Sequence, residues 1–405
     1  MAITKKNFEV LKNRTFFSVW SGFLISRLGD GFFTIALGYI VYTKSGSGLA
    51  MSSVFVAQML GTILIGPIAG TYADRTNRRN LMILTDIIRG ILVFLLMILL
   101  TFYEVNIPLI ISITFVLSAA STFNSTAFHS SVLNMVGPEH IAGATSLLQL
   151  TMTTAQIAGP AMAGLVVTTA GGPWALLIDS ISYFVSALTV ILVKFSNPYL
   201  PADKRKTFTI DLTDGVKWIL KQPVVLGVSL FGTSLSLFGA AHTVLIYIIS
   251  LKIWKVTGFE YSLLEIAWPI GLTVASGLLL LVPKIDRRGL LICGAFVVSG
   301  STYMIASVMA DIYTALPFLV VSGILAGGGA TLMTILMRQI VPSEFQGRVF
   351  GMYGSLSNAT WPLGALLGGF LSESMDVVQL AVICGAGLLL TGVFGLLNKP
   401  LRLYH

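Results

Sequence analysis

One carboxyl group of this chain lies deep inside an apolar stretch, where it could take up and release a proton. Asp30 follows Phe16 by fourteen residues, or roughly 21 Å along a helix. An unpaired carboxylate at that depth costs on the order of 3 kcal/mol, so it should face a cavity or a partner. Arg27 is a candidate partner. Both a proton carrier and half of a structural ion pair stay open, and Gly29 and Gly31, which leave room for water or ligand, favour the carrier.

A second charged group separates two apolar stretches. It reads Gly70-Thr-Tyr-Ala-Asp74-Arg75-Thr-Asn-Arg78-Arg79. A purely topological role for positive charge would explain the three arginines. It would not explain Gly70, which permits close helix approach, or Asp74, which can bind a helix N-terminus or an arginine. The pattern therefore favours a specific contact made by this loop.

Other ionisable residues also lie within the apolar stretches. Asp86 and Arg89 are three residues apart, a helical spacing that allows mutual neutralisation, and we expect them to belong to the polar cluster of the loop. Asp179 and Glu265 stand near the outer ends of their stretches, so we expect both side chains to reach the membrane interface.

Several kinds of chemistry have no motif in this sequence. It contains no Gly-x-x-x-x-Gly-Lys-Ser/Thr phosphate loop, no His-Glu-x-x-His, no cysteine cluster and no Gly-x-Ser-x-Gly elbow. The sequence therefore predicts no direct use of ATP, no metal, no cofactor and no enzymatic activity.

The elements that carry these residues are predicted to be membrane-spanning helices. Hydrophobic residues make up 55% of the chain and charged residues only 10%, against roughly a quarter charged in soluble domains. The apolar stretches are about 20 residues or longer, which suits helices that cross a hydrocarbon core of about 30 Å. We predict twelve of them. They are 16–43, 50–72, 80–103, 107–129, 141–168, 174–195, 224–251, 262–283, 289–310, 314–337, 347–372 and 377–397.

The net charge of +8 is a topology signal and does not indicate nucleic-acid binding. With both termini placed in the cytoplasm, 21 of the 25 lysines and arginines fall on the inner side and three on the outer side. This asymmetry fixes the predicted orientation.

The chain divides into two related halves. The longest polar stretch separates predicted domains 1–195 and 224–405, and the linker 196–223 includes a short amphipathic helix that lies along the membrane or packs on protein. Pro138 to Gly143 recurs as Pro342 to Gly347, in the matching place of the second half. Six spans followed by six more is a parallel-repeat arrangement.

The loop 70–79 resembles the Gly-x-x-x-Asp-Arg-x-Gly-Arg-Arg/Lys pattern between the second and third helices of major facilitator transporters. Asn77 replaces the usual glycine, and asparagine tolerates a left-handed conformation. In that family the loop is a latch between the halves, so the resemblance implies that Asp74 contacts the start of span 11 near Arg348. The implied gating residues are Gly70, Asp74, Arg75, Arg78, Arg79, Asp86, Arg89 and Arg348.

Further segments resemble the bacterial drug-efflux branch of that family, which includes macrolide and siderophore exporters. They are Ser26-Arg-Leu-Gly-Asp30, Asp86-Ile-Ile-Arg89, Pro138-Glu, Gly159-Pro160 and Asp179-Ser-Ile-Ser-Tyr-Phe. The resemblance covers essentially the whole chain. It implies an all-α integral membrane fold of twelve helices in two pseudo-symmetric six-helix bundles.

Span 5 contains a helix-bending motif. Gly159-Pro160-Ala-Met-Ala-Gly164 is similar to the Gly-Pro-x-x-Gly-Gly signature that exporters of the family use in antiport, with Ala163 in place of a glycine. The stretch 107–128 lacks the arginine that many drug/proton antiporters carry in span 4. That difference shifts the predicted proton coupling onto Asp30, with Arg27 beside it.

The resemblance implies proton-driven export of amphipathic small molecules by alternating access, in a bacterial plasma membrane. The expected partners are a small-molecule substrate, protons and membrane lipids, and the chain is expected to act as a monomer. Spans 1, 4, 7 and 10 should line the substrate cavity, and depth and chemistry select Phe33, Asn124, Phe238, His242 and Met333. Two alternatives remain: an exporter of an endogenous metabolite such as a siderophore or lipid-linked compound, and a transport-dead sensor or scramblase.

Overall fold

The computed structural model describes residues 10–103, 106–194, 222–281, 287–341 and 343–397. Among them are twelve long helices of 20 to 32 residues. In chain order these are α1 Arg14–Ser45, α2 Gly48–Arg75, α3 Arg78–Phe102, α4 Ile107–Val136, α5 Ile141–Thr169, α6 Gly172–Ile191, α7 Pro223–Lys252, α8 Gly258–Leu281, α9 Arg288–Ser307, α10 Ile312–Ile340, α11 Ser343–Leu371 and α12 Val377–Leu397.

These helices have the length and apolarity of membrane spans. Within the described ranges, eleven of them can cross a membrane, and α11 contributes a shorter apolar stretch, Ala359–Leu371. Large apolar side chains such as Leu64, Phe102 and Leu192 are more than half exposed, which lipid tolerates and water does not. The predicted all-helical membrane fold is confirmed.

The turn between α2 and α3 uses Asn77 in a way that the sequence comparison with glycine did not anticipate. Its backbone is extended, with φ −70° and ψ 103°, and its side-chain oxygen accepts a hydrogen bond from the backbone N–H of Asn80. Asn77 therefore serves as the N-cap of α3. It does not use the left-handed conformation that asparagine tolerates.

The chain forms two compact units. The first comprises α1, most of α2, the helices α3 to α6, and the start of α8 at Thr257–Leu263. The second comprises Ser47–Ser53, α7, the rest of α8, and α9 to α12. The predicted domain limits stay a prediction, because the linker with its proposed amphipathic helix lies outside the described residues.

A carboxylate in the second unit caps the start of α2. Glu373 accepts hydrogen bonds from the hydroxyl of Ser47 at 2.7 Å and from the backbone N–H of Leu49 at 3.1 Å. These donors lower the pKa of Glu373 below its ordinary value, because they stabilise the charged carboxylate.

Candidate functional site

Asp30 is the centre of a hydrogen-bonded charge cluster in the first unit. Its carboxylate accepts from Nη1 of Arg27 at 2.9 Å and from Nη2 of Arg89 at 2.7 Å. The hydroxyl of Tyr183 donates to it at 2.7 Å. Arg27, the partner that the sequence predicted, is present. Two further partners, Arg89 and Tyr183, come from α3 and α6.

Asp86 forms the second half of this cluster. It accepts from Nη1 of Arg89 at 3.3 Å, from the amide of Asn124 at 2.9 Å and from the hydroxyl of Ser186 at 2.7 Å. The side chains of Asp86 and Arg89 are 1% and 3% exposed. Arg89 thus connects Asp86 to Asp30, inside the membrane-spanning part of α3.

Two glycines beside Asp30 allow neighbouring helices to approach α1. A Cβ at Gly31 would lie 2.6 Å from the carbonyl carbon of Gly159 and 2.7 Å from the nitrogen of Pro160 on α5. A Cβ at Gly29 would lie 2.6 Å from Oδ1 of Asp179 on α6. The expected room for water or ligand at these glycines is wrong, because protein atoms occupy it.

Asp179 was missed as a member of the site. Its side chain is fully buried, with 0% exposure, so the expectation that it reaches the membrane interface is wrong. It lies on the face of α6 that packs against α1 and α3. The pattern Asp179-Ser-Ile-Ser-Tyr183 held the missed signal, since an acid and a tyrosine four residues apart share one helical face.

The loop arginines bind backbone carbonyls of the first unit. Arg78 is buried, and its guanidinium donates to the carbonyls of Ala73 at 3.3 Å and Ser130 at 2.7 Å. Arg79 donates to the carbonyl of Ile191 at the end of α6 at 2.8 Å and to that of Val193, two residues beyond it, at 2.7 Å. A cation at this helix end is electrostatically favourable.

The predicted latch stays a prediction. The side chains of Asp74, Arg75 and Arg348 lie outside the described part of the structure. No described atom lies within 4 Å of a Cβ placed at Gly70. Arg89 and its partner Asp86, which we expected to join the loop cluster, lie instead with Asp30.

The bend motif of α5 supports the contact with α1. A Cβ at Gly159 would lie 2.9 Å from the carbonyl oxygen of Leu28, and Pro160 lies inside the helix. A Cβ at Gly164 would lie 2.6 Å from Cβ of Ser262, also in the first unit. Gly159 and Pro160 therefore lie at close backbone contacts with α1, and Gly164 lies against the side chain of Ser262.

The candidate cavity residues occupy different environments. Phe33 and Met333 are buried, and Asn124 donates to Asp86. His242 stacks on Tyr303 with ring centroids 3.9 Å apart. Phe238 on α7 is half-buried and packs against α12. Their role in substrate binding stays a prediction.

The comparisons with known proteins agree with this fold. The family model MFS_3, described as a transmembrane secretion effector, matches residues 5–404. The chain belongs to the major facilitator superfamily. A structure of the nucleoside transporter NupG superposes on it with a TM-score of 0.73 at 12% identity, covering 95% of this chain and 98% of that one. That likeness shows the major facilitator fold.

Curated relatives of this major facilitator chain are efflux proteins. Macrolide efflux protein A of Streptococcus pyogenes is 22% identical and aligns with 91% of this chain and 92% of its own length. The multidrug efflux pump Tap of Mycolicibacterium fortuitum is 23% identical, with 94% of both chains covered. The enterobactin exporter EntS of Shigella boydii is 25% identical over 67% of this chain and 64% of its own length. The chain is a multi-pass membrane transporter with efflux-type relatives.

Proposed function

We propose that this transporter exports amphipathic small molecules from the cytoplasm by alternating access, driven by proton antiport. The observation that carries the proposal is the carboxylate of Asp30, held within the membrane by Arg27, Arg89 and Tyr183. Such intramembrane charge clusters are costly and mark ion or proton pathways. The macrolide and multidrug efflux relatives support an exported drug-like substrate.

The same proposal places the chain in the bacterial plasma membrane with both termini cytoplasmic. The inner excess of lysine and arginine supports that orientation. Phe33, Phe238 and Met333 are the proposed apolar contacts of the substrate. The ion pair between Asp30 and Arg27 would break when the coupling proton binds and form again when it leaves.

The test measures uptake of ethidium and radiolabelled erythromycin into everted membrane vesicles from a host that lacks its own drug exporters. Wild-type chain should concentrate both compounds, and a protonophore should abolish this. Asp30→Asn should abolish it at equal expression. The matched control is Asp376→Asn: within the described ranges the Asp376 carboxylate accepts one hydrogen bond, from the backbone N–H of Gln379, and asparagine caps equally well.

Two results would contradict the proposal. Uptake equal to that of vesicles without the chain would contradict export of these compounds. Uptake that survives the protonophore would contradict proton coupling. A second candidate, export of a siderophore, is favoured by the similarity to an enterobactin exporter. Uptake of enterobactin but not of ethidium or erythromycin would select it.

A further inference from the structure

The cluster around Asp30 contains more acids than bases. Its carboxyl groups are those of Asp30, Asp86 and Asp179, and its guanidinium groups are those of Arg27 and Arg89. With every group charged, the cluster would carry a net charge of −1 (two positive, three negative). A buried net charge is expensive, whereas one proton on one carboxyl makes the cluster neutral.

Hydrogen bonds indicate which carboxyl carries that proton. Asp30 and Asp86 each accept from three donors, an arrangement that stabilises a carboxylate. Asp179 has weaker donors: the hydroxyl of Ser182 lies 3.5 Å from Oδ1 and already donates to the backbone carbonyl of Asp179 at 2.7 Å. The hydroxyl of Tyr183 also lies near Asp179, but it donates to Asp30 at 2.7 Å. Oδ2 of Asp179 is buried without a hydrogen-bond partner.

The helices packed against Asp179 supply a defined set of charges. From α1 come Asp30 and, beyond it, Arg27; from α3 comes Arg89; and from α6 itself comes Tyr183. The sequence of α5 contains no titratable side chain. Gly29 allows the carboxyl of Asp179 to lie against α1, since a Cβ at this position would lie 2.6 Å from Oδ1 of Asp179.

We propose that Asp179 is the carboxyl that binds the coupling proton, and that it is neutral in the conformation described here. This inference rests on the proposed proton antiport and names a residue for it. Asp30, whose side chain is 29% exposed, would receive the proton first. The hydroxyl of Tyr183 donates to Asp30 and faces Asp179, one helical turn away on α6.

The transfer conserves protons without any cofactor. The carboxylic acid of Asp30 gives its proton to the hydroxyl oxygen of Tyr183, while the O–H proton of Tyr183 passes to a carboxylate oxygen of Asp179. Asp30 returns to a carboxylate paired with Arg27 and Arg89, and Tyr183 stays neutral. Release to the other side of the membrane begins with loss of the proton from Asp179.

Infrared spectroscopy tests the protonation state without requiring transport. Purified wild-type chain in lipid vesicles at neutral pH should show the C=O stretching band of a neutral carboxyl. Asp179→Asn should remove that band, and the capping control Asp376→Asn should retain it. A wild-type spectrum without the band, or a band that survives in Asp179→Asn, would overturn the proposal.

Transport in vesicles then tests whether that proton is the coupled one. Asp179→Asn should lose ethidium uptake driven by a pH gradient but retain exchange of ethidium against ethidium, which needs no net proton movement. Gradient-driven uptake at the wild-type level would mean that Asp179 keeps its proton throughout the cycle, and the proposal would fail. If exchange is lost as well, the C=O band of the wild-type chain is followed as the pH is raised. A band that never titrates overturns the proposal, and one that titrates supports it.

The failure of this inference differs from the failure of the proposed function. If wild-type chain shows no gradient-driven uptake, proton antiport of the probe is wrong, whatever Asp179 does. If wild-type uptake is gradient-driven and Asp179→Asn matches it, only the assignment of the proton to Asp179 is wrong.

Discussion

Arg89 donates to Asp30 at 2.7 Å and thereby joins α3 to α1 inside the membrane-spanning region. The same guanidinium binds Asp86 at 3.3 Å, and its carbon lies 3.9 Å from the ring centroid of Tyr183 on α6. One buried cation therefore connects three helices. Its planar fork of donors suits this role better than a lysine ammonium would.

Arg89→Gln should destabilise the chain strongly. It leaves two carboxylates without their shared cation, and breaking a buried ion pair typically costs about 3–5 kcal/mol. Thermal unfolding in detergent measures the effect. Arg27→Gln is the matched control, since among the described residues Arg27 forms an ion pair with one carboxylate, that of Asp30, and is 17% exposed. Equal stability of the two variants would contradict a central role for Arg89.

Gly31→Ala should separate α1 from α5. The added methyl group would lie 2.6–2.7 Å from backbone atoms of Gly159 and Pro160, which cannot move aside as a flexible side chain could. Overpacking of this kind costs about 1–3 kcal/mol. A drop in the unfolding temperature, together with weaker gradient-driven uptake, is the expected result.

The control for that substitution is Gly294→Ala on α9. No described atom lies within 4 Å of a Cβ at Gly294, so the variant should be neutral or stabilised by up to about 1 kcal/mol. If Gly31→Ala were as stable as Gly294→Ala, the close approach of α1 and α5 would not matter for stability.

Asn124→Ala should reduce stability more than it changes substrate preference. The amide of Asn124 donates to Asp86 at 2.9 Å and to the hydroxyl of Thr85 at 3.0 Å. Leaving a buried carboxylate short of a donor costs about 1–3 kcal/mol. The measurements are the unfolding temperature and the ratio of ethidium to erythromycin uptake. A changed ratio at unchanged stability would instead assign Asn124 to the substrate path.

Glu373 predicts a pH dependence outside the membrane spans. Because its pKa is lowered in the folded chain, its carboxylate stabilises the fold above the ordinary value of 4.5. That stabilisation disappears as the pH falls through the lower folded-state pKa. Glu373→Gln should therefore unfold at a lower temperature than wild type near neutral pH. The loss in free energy of unfolding should be less than about 1 kcal/mol, because the interaction is exposed, and the temperature gap should close in acid.

The outcome that would contradict this pH dependence is a temperature gap that persists in acid. Ser47→Ala provides a comparison, because it removes the hydroxyl that contributes most to the lowered pKa of Glu373. The same hydroxyl accepts from the backbone N–H of Ala50 at 3.1 Å, so part of its temperature gap should persist in acid, unlike that of Glu373→Gln.

Sequence information was sufficient where the deciding interactions are local. A helix spans the membrane because of its own length and apolarity, so the twelve helices and the superfamily fold could be predicted. The pairs Arg27–Asp30 and Asp86–Arg89 were likewise predictable, because residues three apart on one helix are neighbours.

Tertiary structure decided which helix faces which charge. Arg89 was expected beside the α2–α3 loop, yet it reaches Asp30 because α3 and α1 both pack against α6. Asp179 was expected at the membrane interface because its position in the sequence indicates its depth along the helix but not which helices cover it. Its burial depends on α1 and α3 covering that face of α6, and no spacing within the chain encodes which helix will lie there.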